Sequence, residues 1–374
     1  MKIPLVDLQS QYRSLQADID AALLSVVRRA DFVLGREVTQ FEEAFARFIG
    51  VRHCIGVGSG TDALFLSLRA LGIGAGDKVL IPANTFIATA LAVSDAGATP
   101  VLCDVDPDSY TLDIASAERA LISGVKAIIP VHLYGQPADM EGIQHFANKH
   151  GLIVIEDAAQ AHGAVHRLGR VGTFGRASAF SFYPGKNLGA YGDGGAICTN
   201  DDRLAEQIRL LRNWGSTVKY IHRVQGYNSR LDTLQAAVLL VKLQHLHDWN
   251  QRRRELAGQY REALHCVSDQ LVLPKEASWC REHIYHLFVV SLRFADRDRV
   301  IQHLHNQGIG AGIHYPVPIH LQEAYPNLGA PGSFPVAERK ANQILSLPLY
   351  PEMTSEQVKT VAIALGNALR LAPG

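Results

Sequence analysis

The sequence predicts an α/β protein: a mostly parallel sheet covered by helices on both faces, followed by a smaller α+β domain. Short apolar runs alternate with amphipathic stretches through the first part of the chain, the pattern of repeated strand-helix units. A chain of 374 residues with 47% apolar content is long enough to bury one large core and a subsidiary one.

Each element follows from its local pattern. Cys54-Ile55-Gly56-Val57 is a short apolar run, and it leads through Gly58-Ser59-Gly60-Thr61-Asp62 into an apolar-periodic helix over 61–71 that Gly72 closes. Further strands are expected over 78–81, 100–103, 126–131 and 152–155, with helices over 85–96, 113–122 and 139–149 between them. After a Gly-rich segment come a strand over 195–199 and a helix opening at Asp201-Asp202. Asn213 to Arg230 lacks a clean period and reads as a long functional loop. A continuous helical stretch from Leu231 to about Ala263 leads out of the large domain, so the expected division is 1–245 and 246–374. In the second part a strand over 286–292 and helices over 296–307, 336–345 and 354–369 complete the pattern.

Composition narrows the function. Lys+Arg and Asp+Glu both number 36, which gives no basic field to draw the chain to nucleic acid or an anionic membrane. No apolar run approaches the roughly 20 residues of a membrane span, and no secretory leader pattern opens the chain. The five cysteines are scattered, with no C-x-x-C pair, as expected of reduced thiols in a cytoplasm. No His/Cys group has metal spacing, so no metal is expected.

Three segments carry chemistry. Lys186 sits in a turn between short apolar runs with no acidic residue close in sequence; burial would lower its pKa and make the amine a nucleophile toward an aldehyde cofactor. A surface lysine on a hairpin is the competing reading. Asp157 ends the apolar run Leu152-Ile153-Val154-Ile155, and ligands of open α/β sheets lie at such carboxyl ends. A carboxylate there can pair with the protonated ring nitrogen of pyridoxal phosphate, with Gln160 one helical turn on at the phenolic oxygen. Alternatively, Asp157 caps a following helix. The Gly58–Gly60 turn opens a helix whose free N–H groups suit a phosphate, and Ser181 is a further phosphate ligand, although such turns also start helices that bind nothing.

Together these pieces resemble the sugar-nucleotide aminotransferases of the DegT family, of PLP fold type I. The resemblance rests on Gly60-Thr61-Asp62-Ala63-Leu64, Glu156-Asp157-Ala158-Ala159-Gln160, the lysine segment, Tyr227-Asn228-Ser229-Arg230-Leu231-Asp232 and His314-Tyr315-Pro316, and it covers nearly the whole chain. It implies a three-layer αβα sandwich with Lys186 as the Schiff-base lysine, Asp157 on the pyridinium nitrogen and Gln160 on the phenolic oxygen. It further implies that Gly60, Thr61 and Ser181 hold the phosphate and that Phe86 stacks on the pyridine ring; a core phenylalanine is the plainer reading of Phe86. Asn228 would reach the phosphate of a neighbouring subunit, which makes a homodimer with shared active sites the expected unit.

The same resemblance implies L-glutamate as amino donor. Arg230 is a candidate for its carboxylate because guanidinium grips carboxylates bidentately; pairing with Asp232, or holding the loop, is the alternative. The wording around Lys186 and His314 resembles the branch that aminates carbon 3 of nucleotide-linked keto sugars. The first expectation is a dTDP-linked 3-keto-6-deoxyhexose and the second a UDP-linked 2-acetamido-3-keto-glucuronate, with His162, Tyr183, His314 and Tyr315 around the sugar. His314 and Tyr315 also suit a bare domain junction. A PLP-dependent sugar dehydratase and a small-molecule sensor are the rivals; dehydrating members resemble this family with histidine at the lysine position, where this chain keeps Lys186.

Overall fold

The computed structural model describes residues 2–372. Its centre is a seven-stranded sheet of β1 (His53–Val57), β2 (Lys78–Pro82), β3 (Thr99–Cys103), β4 (Val125–Ile128), β5 (Ile153–Asp157), β6 (Ala177–Ser181) and β7 (Gly195–Thr199), in the order β1-β7-β6-β5-β4-β2-β3. The strands from β6 to β3 run parallel, and β7 lies antiparallel between β6 and β1.

Helices α1 (Leu8–Arg29), α2 (Arg36–Ile49), α3 (Gly60–Ala70), α4 (Ile87–Asp95), α5 (Ile114–Ala120), α6 (Met140–His150), α7 (Asp202–Arg212) and α8 (Thr233–Leu243) flank this sheet. Strand side chains alternate between faces. Val79 and Ile81 therefore join the core with Leu66 of α3, Val93 of α4 and Ile208 of α7, while Leu80 joins Ile143 and Phe146 of α6 on the opposite face. Phe41 and Phe45 of α2 pack with Phe180, Phe182 and Leu239 near the other sheet edge. The result is a three-layer sandwich.

A second core gathers α9 (Leu246–Ala263), α10 (Arg297–Asn306), α12 (Ser355–Leu371) and the antiparallel strands β8 (Leu271–Val272), β9 (Phe288–Leu292) and β10 (Ile344–Leu347). Ile3 belongs to this core through a bridge to Ile309. Between β9 and β10 the chain returns to the first core, where Ile319 and Ala337 of α11 (Pro335–Gln343) pack.

Several expectations need correction. The single helix from Leu231 to Ala263 is two, broken between Leu243 and Leu246. No helix follows Asp157; the chain turns instead, so Gln160 is not one helical turn away. The segment 213–230 contains a small hairpin, Ser216–Val218 with Ile221–His222. The 336–345 helix overran its end, since Ile344 begins β10 and pairs with Ser291.

Candidate active site

The carboxyl end of β5 fixes the first group. Asp157 is almost fully buried, and its backbone is tied to both neighbouring segments: its N–H donates to Pro130 O at 2.9 Å, and its carbonyl accepts from His132 N at 3.0 Å. Its Oδ2 accepts from Thr89 Oγ1 at 2.8 Å and its Oδ1 from the Ala159 amide at 3.2 Å. Burial pushes the carboxyl above its ordinary range, while the Thr89 hydroxyl and the Ala159 amide pull the other way. The helix-cap alternative has reduced to that short turn onto Ala159.

The preceding residue does structural work. Glu156, fully buried on the opposite face, accepts the backbone amides of Gly172, Phe174 and Gly175 at 2.8 Å each and meets His132 Nε2 at 3.1 Å.

Lys186 lies in the turn after β6, with its backbone N–H bonded to Tyr183 O at 2.9 Å. Its amine has no hydrogen bond or ion pair among the described residues. Desolvation in the cleft pushes it down to about 8, against the opposing pull of the Asp157 carboxylate. The hairpin-lysine alternative predicts a solvated amine with an ordinary pKa, unlike this one.

The start of α3 supplies an anion cradle. Ser59 caps the helix by accepting from Asp62 N at 3.0 Å, which leaves the first-turn N–H groups of Gly60 and Thr61 for an external acceptor. Glycine is required at position 60: a Cβ there would lie 2.6 Å from Ser181 Cβ, so the helix start and Ser181 share one site only because that atom is missing. Ser229 ties the loop before α8 to this turn, accepting from Gly58 N at 3.1 Å and donating to Asp62 Oδ2 at 2.8 Å.

Gln160 is committed at both ends, accepting from Tyr134 N at 2.7 Å and donating to Tyr315 Oη at 3.0 Å. Tyr315 follows a cis peptide after His314 and stands 5.1 Å from the Phe86 ring. Phe86 is half exposed at the N-terminus of α4, so it is not a core phenylalanine. His314 Nδ1 meets Ser346 Oγ at 2.8 Å, and burial beside Lys186 pushes its imidazole down to about 4. Tyr183 is well exposed. Arg230 donates to Asn213 Oδ1 at 3.1 Å and forms no ion pair with Asp232, which favours its loop-holding role over that pairing. Asn228 is exposed and bridges to Asn213.

His162 departs from expectation. It has no exposed surface and packs against Phe45, Phe180 and Phe182, and burial holds its ring neutral, pushed down to about 3. Enclosed in the core, it is not a sugar contact in this structure. Conversely, Thr89, Asn187, Asn250 and His286 line or brace the site without having been foreseen. Thr89 lies three residues beyond Phe86 and Asn187 directly after Lys186, so their neighbours in sequence were the only signal. Among the described residues no cluster of His, Cys, Asp and Glu is arranged to hold a metal.

An unpartnered, desolvated amine, a carboxylate at a strand end and a phosphate-shaped helix start together fit pyridoxal phosphate. Residues 13–366 match the DegT/DnrJ/EryC1/StrS aminotransferase family. The chain belongs to that family. It is an aminotransferase that works with pyridoxal phosphate. The erythromycin biosynthesis sensory transduction protein EryC1 of Saccharopolyspora erythraea is 51% identical over 366 residues, covering 98% of this chain and 99% of that one. A dTDP-3-amino-3,4,6-trideoxy-alpha-D-glucose transaminase of Streptomyces venezuelae is 47% identical, covering 97% of this chain and 95% of the relative. The crystal structure of S. venezuelae DesV in complex with a ketimine intermediate superposes with a TM-score of 0.95 at 46% identity, over 98% of each chain.

Proposed function

We propose that this aminotransferase moves an amino group from L-glutamate to a nucleotide-linked keto sugar, with a dTDP-linked 3-keto-6-deoxyhexose as acceptor and a dTDP-3-amino-3,6-dideoxyhexose as product. The observation that carries the chemistry is Lys186, an amine at about 8 with no partner of its own, close enough to Asp157 to feel its charge. The sugar reading is supported by the full-length likeness to the S. venezuelae transaminase.

Bound pyridoxal phosphate supplies the electron sink that lets a carbon acid lose its proton. In this reading Asp157 keeps the ring nitrogen protonated, Gly60, Thr61 and Ser181 hold the phosphate, and Phe86 covers one ring face. Gln160, anchored by Tyr134, retains a second amide hydrogen for the phenolic oxygen. Once the donor amine displaces it, Lys186 takes the proton from the donor's α-carbon, and it later returns one to the aminated sugar. Arg230 is the proposed carboxylate grip for glutamate, and Tyr183, His314 and Tyr315 the sugar contacts.

The active unit is a homodimer in this reading, with Asn228 reaching the partner's phosphate site. Leu24 and Val27 on α1, with Phe32 and Val33 after it, and Val218, Tyr220 and Ile221 on the hairpin leave much apolar surface uncovered in one chain, as a subunit interface does. No helix of the described residues is long and apolar enough to cross a membrane, and a cytoplasmic location is part of the proposal.

The test is the visible spectrum of the purified protein. L-glutamate should bleach the coloured cofactor band, and the keto sugar should restore it. A panel of dTDP and UDP keto sugars then decides the nucleotide, and Lys186→Ala should lose both the band and turnover. A protein that stays coloured with glutamate would sink the proposal.

A further inference from the structure

Asn187, next to the reactive lysine and almost fully buried, has both amide hydrogens and its amide oxygen partnered. Its Nδ2 donates to Ile284 O at 3.1 Å and to Asn250 Oδ1 at 2.9 Å, and Asn250 Nδ2 in turn donates to His162 O at 2.8 Å. A backbone carbonyl only accepts, so the contact with Ile284 fixes which end of the Asn187 amide is nitrogen. The remaining Oδ1 faces His286 Nδ1 at 3.2 Å. An amide oxygen only accepts as well, so His286 Nδ1 carries the proton. Burial, reinforced by the positive charges of Lys186 and Arg253, holds the His286 ring neutral, well below its ordinary value. Its Nε2 is therefore a bare lone pair.

That lone pair has no protein partner among the described residues, and it is not among the buried atoms sealed without one. The ring is only partly buried, and its bond to Asn187 holds it beside the lysine turn, although no hydrogen bond joins it to Lys186 or His314. We infer that His286 is a substrate-binding residue whose Nε2 accepts a hydrogen bond from a hydroxyl of the sugar. The choice among substrate groups follows from chemistry. A carboxylate is repelled by a lone pair, and the donor's ammonium must give up its protons to react; a sugar hydroxyl keeps its proton throughout. The inference rests on the keto-sugar reading above.

Two substitutions separate binding from bracing. His286→Asn keeps a donor near the Nδ1 position for Asn187 and deletes the acceptor at Nε2; His286→Gln places an amide near Nε2 and gives up the Asn187 bond. With a dTDP-3-amino-3,6-dideoxyhexose and 2-oxoglutarate in the reverse direction, His286→Asn should lower kcat/KM for the sugar roughly ten- to hundredfold, mostly through KM, as a lost buried hydrogen bond requires. Single-turnover bleaching by L-glutamate should stay within about twofold of wild type. Calorimetric binding of the amino sugar should weaken in step, and His286→Gln should recover part of the loss. Wild-type sugar kinetics and binding in His286→Asn would overturn the inference, as would equal losses in both half-reactions accompanied by a lower Tm. A wild-type enzyme that bleaches with glutamate yet transfers to no nucleotide sugar would instead remove the keto-sugar reading, and this inference with it.

Discussion

Thr89 donates a hydrogen bond of 2.8 Å to the Asp157 carboxylate, and Thr85 Oγ1 backs it at 3.0 Å. A buried carboxylate stays ionised only with such help, and Asp157 must be ionised to face a protonated ring nitrogen. Breaking a buried charge pair costs about 3–5 kcal/mol. Asp157→Asn should therefore lower transamination by roughly 10²–10⁴ while leaving cofactor bound. Thr89→Val should act less strongly, lowering stability by about 1–3 kcal/mol. Single-turnover kinetics and thermal melting check the pair; an Asp157→Asn enzyme with near wild-type rates would remove Asp157 from its proposed role.

Only the neutral Lys186 amine attacks an aldehyde, and burial places its titration at about 8. Capture of free pyridoxal phosphate by the cofactor-free protein should accelerate about tenfold per pH unit below that value and level off above it. Stopped-flow absorbance between pH 6 and 10 reads the profile. A rate still climbing near pH 10 would mean an ordinary, solvated lysine.

Lys242 on α8 is a second lysine held in an unfavourable place. It is fully buried, donates to Gly189 O at 2.8 Å, lies 4.1 Å over the Tyr191 ring, and is pushed down to about 7 by desolvation. Its ordinary value is 10.5, so between about 7 and 10.5 the unfolded chain binds more protons than the folded one. The contribution of Lys242 to stability therefore rises with pH across that window. Replacing it with Met should flatten the climb of Tm from pH 7 to 10; an unchanged slope would show that Lys242 keeps its charge cheaply.

Most strands of the sheet were legible because each is a short apolar run ended by a turn, and those over 54–57, 78–81, 100–103 and 195–199 fall within a residue of their observed limits, whereas β6, between the loop after β5 and the lysine turn, was not expected. The break at Gln244-His245 was not, since neither glycine nor proline marks it and the helical pattern runs through. At the site, Lys186, Asp157 and Gly60 stood out because an amine, a carboxylate and a glycine each occupied a telling position in a local pattern. His162 misled for the same reason: it follows Gln160 closely, yet the chain turns rather than continuing as a helix, and the ring ends among phenylalanines. His286 and Asn250 lie far along the chain from Lys186, and only the meeting of the two cores brings them to it.

Glu156 and Asp157 are neighbours of the same charge with opposite fates, because successive residues of a strand face opposite ways. One is wrapped in three amides and a histidine, the other left for a ring nitrogen. A one-residue deletion within β5 would turn Asp157 into the loop's amide nest, and a one-residue insertion would turn Glu156, longer by a methylene, towards Thr89 and the cofactor in its place. The spacing of this strand is thus itself a catalytic specification, intolerant of slippage where its composition alone would tolerate many changes.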